Sequence, residues 1–288
     1  MDSTVTVFRD YHQQALDAEY NNRAKTPDVE VFKTAQADAS DVARRAPDLR
    51  RDVAYGPSAD EMVDVFPAAG PNPGPVHVFF HGGYWKMNHK HEFGFVANPF
   101  VASGAAVVVV EYALIPTVDM AELVRQSRAA MAWVWRNAAS FGGDAGRIHV
   151  SGHSAGGHLT AMMMATDWPA FEPGLPADLV KTGCAISGIY DLEPIRLCFM
   201  NEELHFTPEQ VASYSPVLLE PRGGGTLLLP VGAMEGNEFI RQSEDLAAAW
   251  SAKGIDARAW IMPGHHHFSI INQYIDANSE LSVAARRQ

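Results

Sequence analysis

Two cysteines in 288 residues, Cys184 and Cys198, are too few for a disulfide framework. The first residues, MDSTVTVFRDYHQQALDAEYNN, hold no apolar core of the kind a secretory leader needs, so both thiols are expected to be reduced and buried. Basic residues are also scarce: 22 Lys and Arg stand against 34 Asp and Glu, a formal net charge of −12. That sign opposes nucleic acid or an anionic bilayer as the main partner, because both are polyanions. No apolar run reaches the roughly 18 residues that a membrane-spanning helix requires. Internal repeats, low-complexity tracts and long Gly/Ser linkers are missing too, which excludes solenoid and string-of-modules architectures. What remains, at 47% hydrophobic and 19% charged residues, is the composition of a soluble, cytoplasmic protein with a large core.

Within that composition the chain alternates two kinds of segment. Residues 1–50 are polar and read as helical, over 10–24 and 38–46. RRDVAYG (50–56) and EMVDVFPA (61–68) read as a strand pair. Six apolar runs follow: VHVFF (76–80), AAVVVVEYA (105–113), RIHVSG (147–152), TGCAISGIY (182–190), TLLLPVG (226–232) and ARAWIMPG (257–264). Their near-continuous apolar character is that of strands covered on both faces. Between them, 119–136 places Met120, Leu123, Val124, Met131, Val134 and Trp135 on one helical stripe, with Asp119 and Glu122 as its capping pair. A second helix spans 236–254 and ends at Gly254. Alternation of this kind predicts an α/β fold, a mostly parallel sheet with helices on both faces, whose sites form at the C-terminal strand ends.

Four of those strand ends carry reactive chemistry. After HVSG comes His153-Ser154-Ala155-Gly156-Gly157, a G-x-S-x-G elbow in which the flanking glycines permit a sharp strand-to-helix bend. Such a bend lifts the Ser154 hydroxyl above the sheet, toward a helix N-terminus that favours negative charge. After VHVFF comes His81-Gly82-Gly83-Tyr84-Trp85. Gly82 and Gly83 let the backbone approach a substrate closely, and with the Ala155 amide they could hold an oxyanion. His81 itself is expected to be structural.

A serine hydroxyl needs a base, and the base needs an orienting acid. In chain order the acid follows Ser154 and the histidine comes last. Glu235 and Glu238 follow the strand 226–232, and His265, His266 and His267 follow the last strand. Glu235 lies in the loop proper, whereas Glu238 is placed to open a helix. Three consecutive histidines rarely converge on one ion, so no metal and no cofactor is expected.

The stretches HGGYW, GHSAGGH and VGAMEGNEFIRQS…HHHFSII resemble the α/β-hydrolase superfamily, and within it the branch of kynurenine formamidase (arylformamidase) and related bacterial esterases. The resemblance runs from about residue 10, where LDAEYNNRA is similar to the family's N-terminal segment, to about residue 275. It implies an α/β-hydrolase fold, with residues 1–50 as a helical N-terminal cap segment and 51–288 as the catalytic domain. Ser154 is then the nucleophile, and Gly82, Gly83 and Ala155 form the oxyanion hole. The family's acid follows a glycine by three positions, which lands on Glu235, with glutamate standing where aspartate is more usual. Its histidine directly precedes a phenylalanine, which lands on His267 before Phe268, whereas related lipases place the base at the position of His266. Tyr84, Trp85 and His153, with the segment around Tyr20, would wall the pocket. The implied activity is hydrolysis of an aryl formamide or a small ester through an acyl-enzyme; a short-chain carboxylesterase and a silent binding protein are the alternatives. The expected partner is a small ester or amide substrate, and the oligomeric state, including a homodimer, stays open. The segment 189–214 is long for a connection and reads as part of a lid.

Overall fold

A computed structural model of the chain describes residues 5–222 and 225–288. Ten strands occur among the described residues: β1 (Thr6–Phe8), β2 (Tyr11–His12), β3 (Arg50–Ala54), β4 (Met62–Phe66), β5 (Gly74–Phe80), β6 (Ala106–Val110), β7 (Gly143–His153), β8 (Thr182–Ile186), β9 (Thr226–Gly232) and β10 (Asp256–Met262). Eight of them form one sheet in the order β10-β9-β8-β7-β5-β6-β4-β3. From β6 to β10 the neighbours run parallel, and β3 and β4 close the far edge antiparallel. β1 and β2 pair separately.

The valine-rich runs make strands because branched side chains suit a pleated surface with partners on both sides. In β5 and β6, Val78, Phe80, Val108 and Val110 enter one core, which also takes Leu123, Val124 and Met131 from the helix Met120–Asn137. Phe79, Val107 and Val109 enter the other, against Phe93, Phe95 and Phe100. All seven of these strand residues are fully buried, so each contributes about 1.5–3 kcal/mol of hydrophobic stabilisation. The Asp119 carboxylate caps the helix Met120–Asn137 by accepting from the Glu122 amide at 2.9 Å.

Several expected boundaries move. The stretch 10–24 is no single helix: His12 caps Gln13–Tyr20, and Asn21 ends that helix and caps Asn22–Lys25. The next helix is Val29–Ala43 rather than 38–46, starting directly after Pro27 and Asp28. β6 stops at Val110; at Glu111 the carbonyl accepts from the Tyr55 hydroxyl, and the carboxylate meets the buried His81 ring and the Lys90 amide. β8 stops at Ile186, where Ser187 takes a φ of 48°. Cys184 and Cys198 are buried and unbridged, and burial pushes both thiols up to about 12. No helix among the described residues is long and apolar enough to cross a membrane.

Candidate active site

The C-terminal ends of β5, β7, β9 and β10 bring four loops to one end of the sheet. At the end of β7, Ser154 adopts φ 58° and ψ −119° and caps the helix Ala155–Met164. The steric demand on its neighbours is severe. A Cβ on Gly152 would lie 2.2 Å from the Gly156 carbonyl oxygen, and one on Gly156 would lie 1.9 Å from the Phe80 carbonyl oxygen. Neither obstacle is a flexible side chain, so the bend exists only with glycine at both positions. Gly156→Ala is therefore expected to cost more than about 3 kcal/mol, read as a drop of the thermal midpoint or loss of soluble protein.

The loop after β5 meets this elbow. A Cβ on Gly82 would lie 3.0 Å from that of Ser154 and 2.7 Å from the His153 carbonyl oxygen. Gly83, at φ +121°, leaves no room for a side chain beside the Met87 carbonyl. The Gly82 carbonyl is tied back by the Asn88 side chain at 3.1 Å and by the His81 ring at 2.8 Å. The amides of Gly82, Gly83 and Ala155 donate to no acceptor among the described residues. His81 is fully buried, bonded to Glu111 at 3.1 Å and stacked on Tyr112. It carries structure, as expected.

The two remaining loops supply an acid–base pair. A tight turn returns the Glu235 amide to the Gly232 carbonyl at the end of β9. Its Oε2 accepts from Nδ1 of His267 at 2.6 Å, and Oε1 accepts from the Gly232 amide at 2.6 Å and the Ser187 hydroxyl at 2.5 Å. Glu235 is 1% exposed and His267 5%. Glu238 faces elsewhere, accepting from the Tyr20 hydroxyl at 2.9 Å and from Arg241 at 2.6 Å. His266 accepts from the amides of Phe268 and Ser269, and His265 leans on the Ser269 hydroxyl, so of the three histidines it is His267 that meets the carboxylate. Among the described residues no cluster of His, Cys, Asp or Glu could hold a metal ion.

The His153 ring lies against that of His267, their centroids 4.6 Å apart. Burial and the neighbouring His267 ring hold it well below the usual histidine range, so its ring is neutral. Its Nε2–H donates to the His267 carbonyl at 2.8 Å. Lys25, from the N-terminal segment, donates to the Glu235 carbonyl at 2.6 Å. Ser154, His267, His153, Gly82, Gly83 and Tyr84 border one cavity of about 200 Å³, completed by polar side chains such as Lys33 and Gln36 and by apolar ones, Met200 of the 189–214 segment among them. The Ser154 hydroxyl has no hydrogen-bond partner among the described residues. Such contacts commonly tighten only around substrate. A hydroxyl on a strained bend, an imidazole on the same cavity and a carboxylate behind it can together drive acyl transfer.

One expected wall residue is elsewhere. Trp85 is fully buried outside the cavity, its Nε1 donating to His158 Nδ1 at 3.2 Å and its ring edge-on to His158 and Phe206. Left-handed backbone at Tyr84 (φ 49°) and Trp85 (φ 56°) sends the indole down onto the helix behind the elbow while Tyr84 stays on the cavity. Two participants carried no motif. Ser187 stands directly after β8, where the strand-end rule could have found it. Asn22 shares the cavity wall through a contact with Tyr84 that is 62 positions distant in sequence.

The family model described as BD-FAE matches residues 63–195. The kynurenine formamidase of Danio rerio is 34% identical over 87% of this chain and 85% of its own length. That of Salmo salar is 32% identical over 94% and 92%. A solved structure from Silicibacter sp., of a protein proposed to be a thioesterase, superposes with a TM-score of 0.83 at 29% identity, covering 94% of this chain and 98% of that one. The sheet order, the flanking helices and these similarities agree on an α/β-hydrolase fold and on a hydrolase. The chain belongs to the kynurenine formamidase family.

Proposed function

We propose that this chain is a serine hydrolase that removes the formyl group from an N-formyl arylamine. The observation that carries the reading is the buried Glu235–His267 hydrogen bond of 2.6 Å, opening on the cavity that Ser154 borders. His267 takes the Ser154 proton as the hydroxyl attacks the formyl carbon. The oxyanion is held by the amides of Gly82, Gly83 and Ala155, each such donor being worth on the order of 10²–10³ in turnover. His267⁺ then protonates the departing amine, and water activated by the same ring hydrolyses the formyl-serine. In this scheme Glu235 keeps the imidazole oriented and stabilises its cation, and His153 and Lys25 hold the two loops in register. Residues 1–50 serve as the cap over a catalytic domain of residues 51–288. The compact cavity suits a small acyl group beside a single aromatic ring.

The test compares kcat/KM on N-formylkynurenine with that on p-nitrophenyl acetate and butyrate. Turnover of the formamide, with acetate exceeding butyrate, is expected. A strong preference for butyrate would replace this reading with a short-chain carboxylesterase, since a formyl group needs no acyl pocket.

A further inference from the structure

Ser187 is fully buried one residue beyond β8, and its φ of 48° is left-handed backbone that glycine adopts with far less strain. Glycine stands next to it, at 188, yet position 187 carries a side chain. The main chain holds the strained residue from both sides. The Ser187 amide donates to the Pro230 carbonyl of β9 at 2.8 Å, and the preceding Ile186 carbonyl accepts from the Ser154 amide at 2.9 Å. What the position delivers is a hydroxyl. Its Oγ meets Glu235 Oε1 at 2.5 Å and makes no other hydrogen bond among the described residues. Backbone strain that the surroundings enforce points to a use for the side chain. The use follows from the acceptor. A carboxylate has no proton to give, so the hydroxyl donates. Oε1 also accepts from the Gly232 amide at 2.6 Å. Two donors on Oε1 leave Oε2 to face Nδ1 of His267 at 2.6 Å.

We propose that Ser187 is a positioning residue whose hydroxyl holds the Glu235 carboxylate in the rotation that keeps Oε2 on the His267 ring. The proposal rests on the roles given to Glu235 and His267 above and adds the group that orients the acid itself. The Gly232 amide lies three residues from Glu235 and moves with its turn, so alone it leaves the carboxylate plane free to swing about Oε1. Ser187 comes from a different strand and supplies the second, independent anchor. The same strand end reaches the elbow. Ile186 holds the Ser154 amide on its carbonyl while Ser187 holds Glu235 on its hydroxyl, so one two-residue step keeps both in register.

The experiment measures kcat, KM and thermal midpoint for wild type, Ser187→Gly, Ser187→Ala, Glu235→Ala and the double variant Ser187→Gly with Glu235→Ala. N-formylkynurenine and p-nitrophenyl acetate serve as substrates. Both Ser187 variants are expected to lose about 10- to 100-fold in kcat, the scale of one hydrogen bond to a charged group, with KM within about twofold of wild type. Ser187→Gly is the decisive one, because it removes the hydroxyl while relaxing the backbone. A purely structural role predicts damage confined to Ser187→Ala, and a Ser187→Gly variant that loses less than about tenfold in kcat overturns the proposal. In the Glu235→Ala background the hydroxyl has nothing left to hold, so its removal should change kcat by less than about threefold. A loss there as large as in the wild-type background overturns the proposal, since the hydroxyl would then act elsewhere. A raised KM at unchanged kcat overturns it too, as does failure of both Ser187 variants to fold. A near-normal Glu235→Ala sinks the role given to Glu235 itself, whereas a crippled Glu235→Ala beside a near-normal Ser187→Gly sinks this proposal alone.

Discussion

Ser154→Ala is expected to lower kcat by about 10⁵- to 10⁶-fold while leaving the thermal midpoint and circular dichroism spectrum close to wild type. The size follows from what the hydroxyl does in the proposed scheme. Without it no acyl-enzyme forms, and only the cavity and the oxyanion donors remain, which by themselves leave about 10³- to 10⁴-fold over water. The fold should tolerate the change because the hydroxyl has no partner among the described residues. The bend is held instead by the backbone, with the Ser154 amide donating to the Ile186 carbonyl at 2.9 Å and its carbonyl accepting from His158 at 3.1 Å. Steady-state kinetics with a burst assay decides the matter, and a variant within tenfold of wild type removes Ser154 from the role of nucleophile.

Glu235→Gln is expected to lower kcat by about 10⁴-fold with little loss of fold. The geometry dictates how the new amide must sit. The Oε1 position receives two donors, the Gly232 amide and the Ser187 hydroxyl, so it must keep an oxygen. The NH₂ group is then forced toward Nδ1 of His267, where the carboxylate now accepts. Facing a donor, the imidazole must accept at Nδ1 and carry its proton on Nε2. That is the wrong tautomer for taking a proton from serine. His266→Ala serves as the control and should stay within about tenfold of wild type, since that ring caps a turn. A Glu235→Gln variant of near-normal rate, or an equally crippled His266→Ala, would mean that the proton path runs elsewhere.

The elbow could be read from sequence because its cause is local and steric. Glycine at 152 and 156 is demanded by carbonyls only a strand away. The loops of the proposed acid and base were legible for a related reason: parallel strands deliver their following loops to one end of the sheet, which brings His267, with Glu235 behind it, to the cavity that Ser154 borders. The choice of His267 over His266 came from the resemblance, and in the structure it reflects which ring reaches the Glu235 carboxylate. Less local facts were invisible. Tyr84 and Trp85 are adjacent in sequence, and only the left-handed backbone at both parts their rings between cavity and core. Asn22 comes to the cavity wall only through its contact with the Tyr84 phenol, from an N-terminal stretch whose helices are set by a cap at His12 and a break at Asn21. No periodicity or spacing reports a contact of that kind.

That N-terminal stretch has an evolutionary consequence. Tyr20, Asn22 and Lys25 reach the cavity or the Glu235 loop from outside the large sheet, whereas Ser154, Glu235 and His267 all follow its strands. In the proposed scheme, then, the strand ends carry the reaction, while the leading segment lends only part of the cavity wall. Exchanging the leading segment between relatives would reshape that part of the wall and leave the strand-end loops as they are.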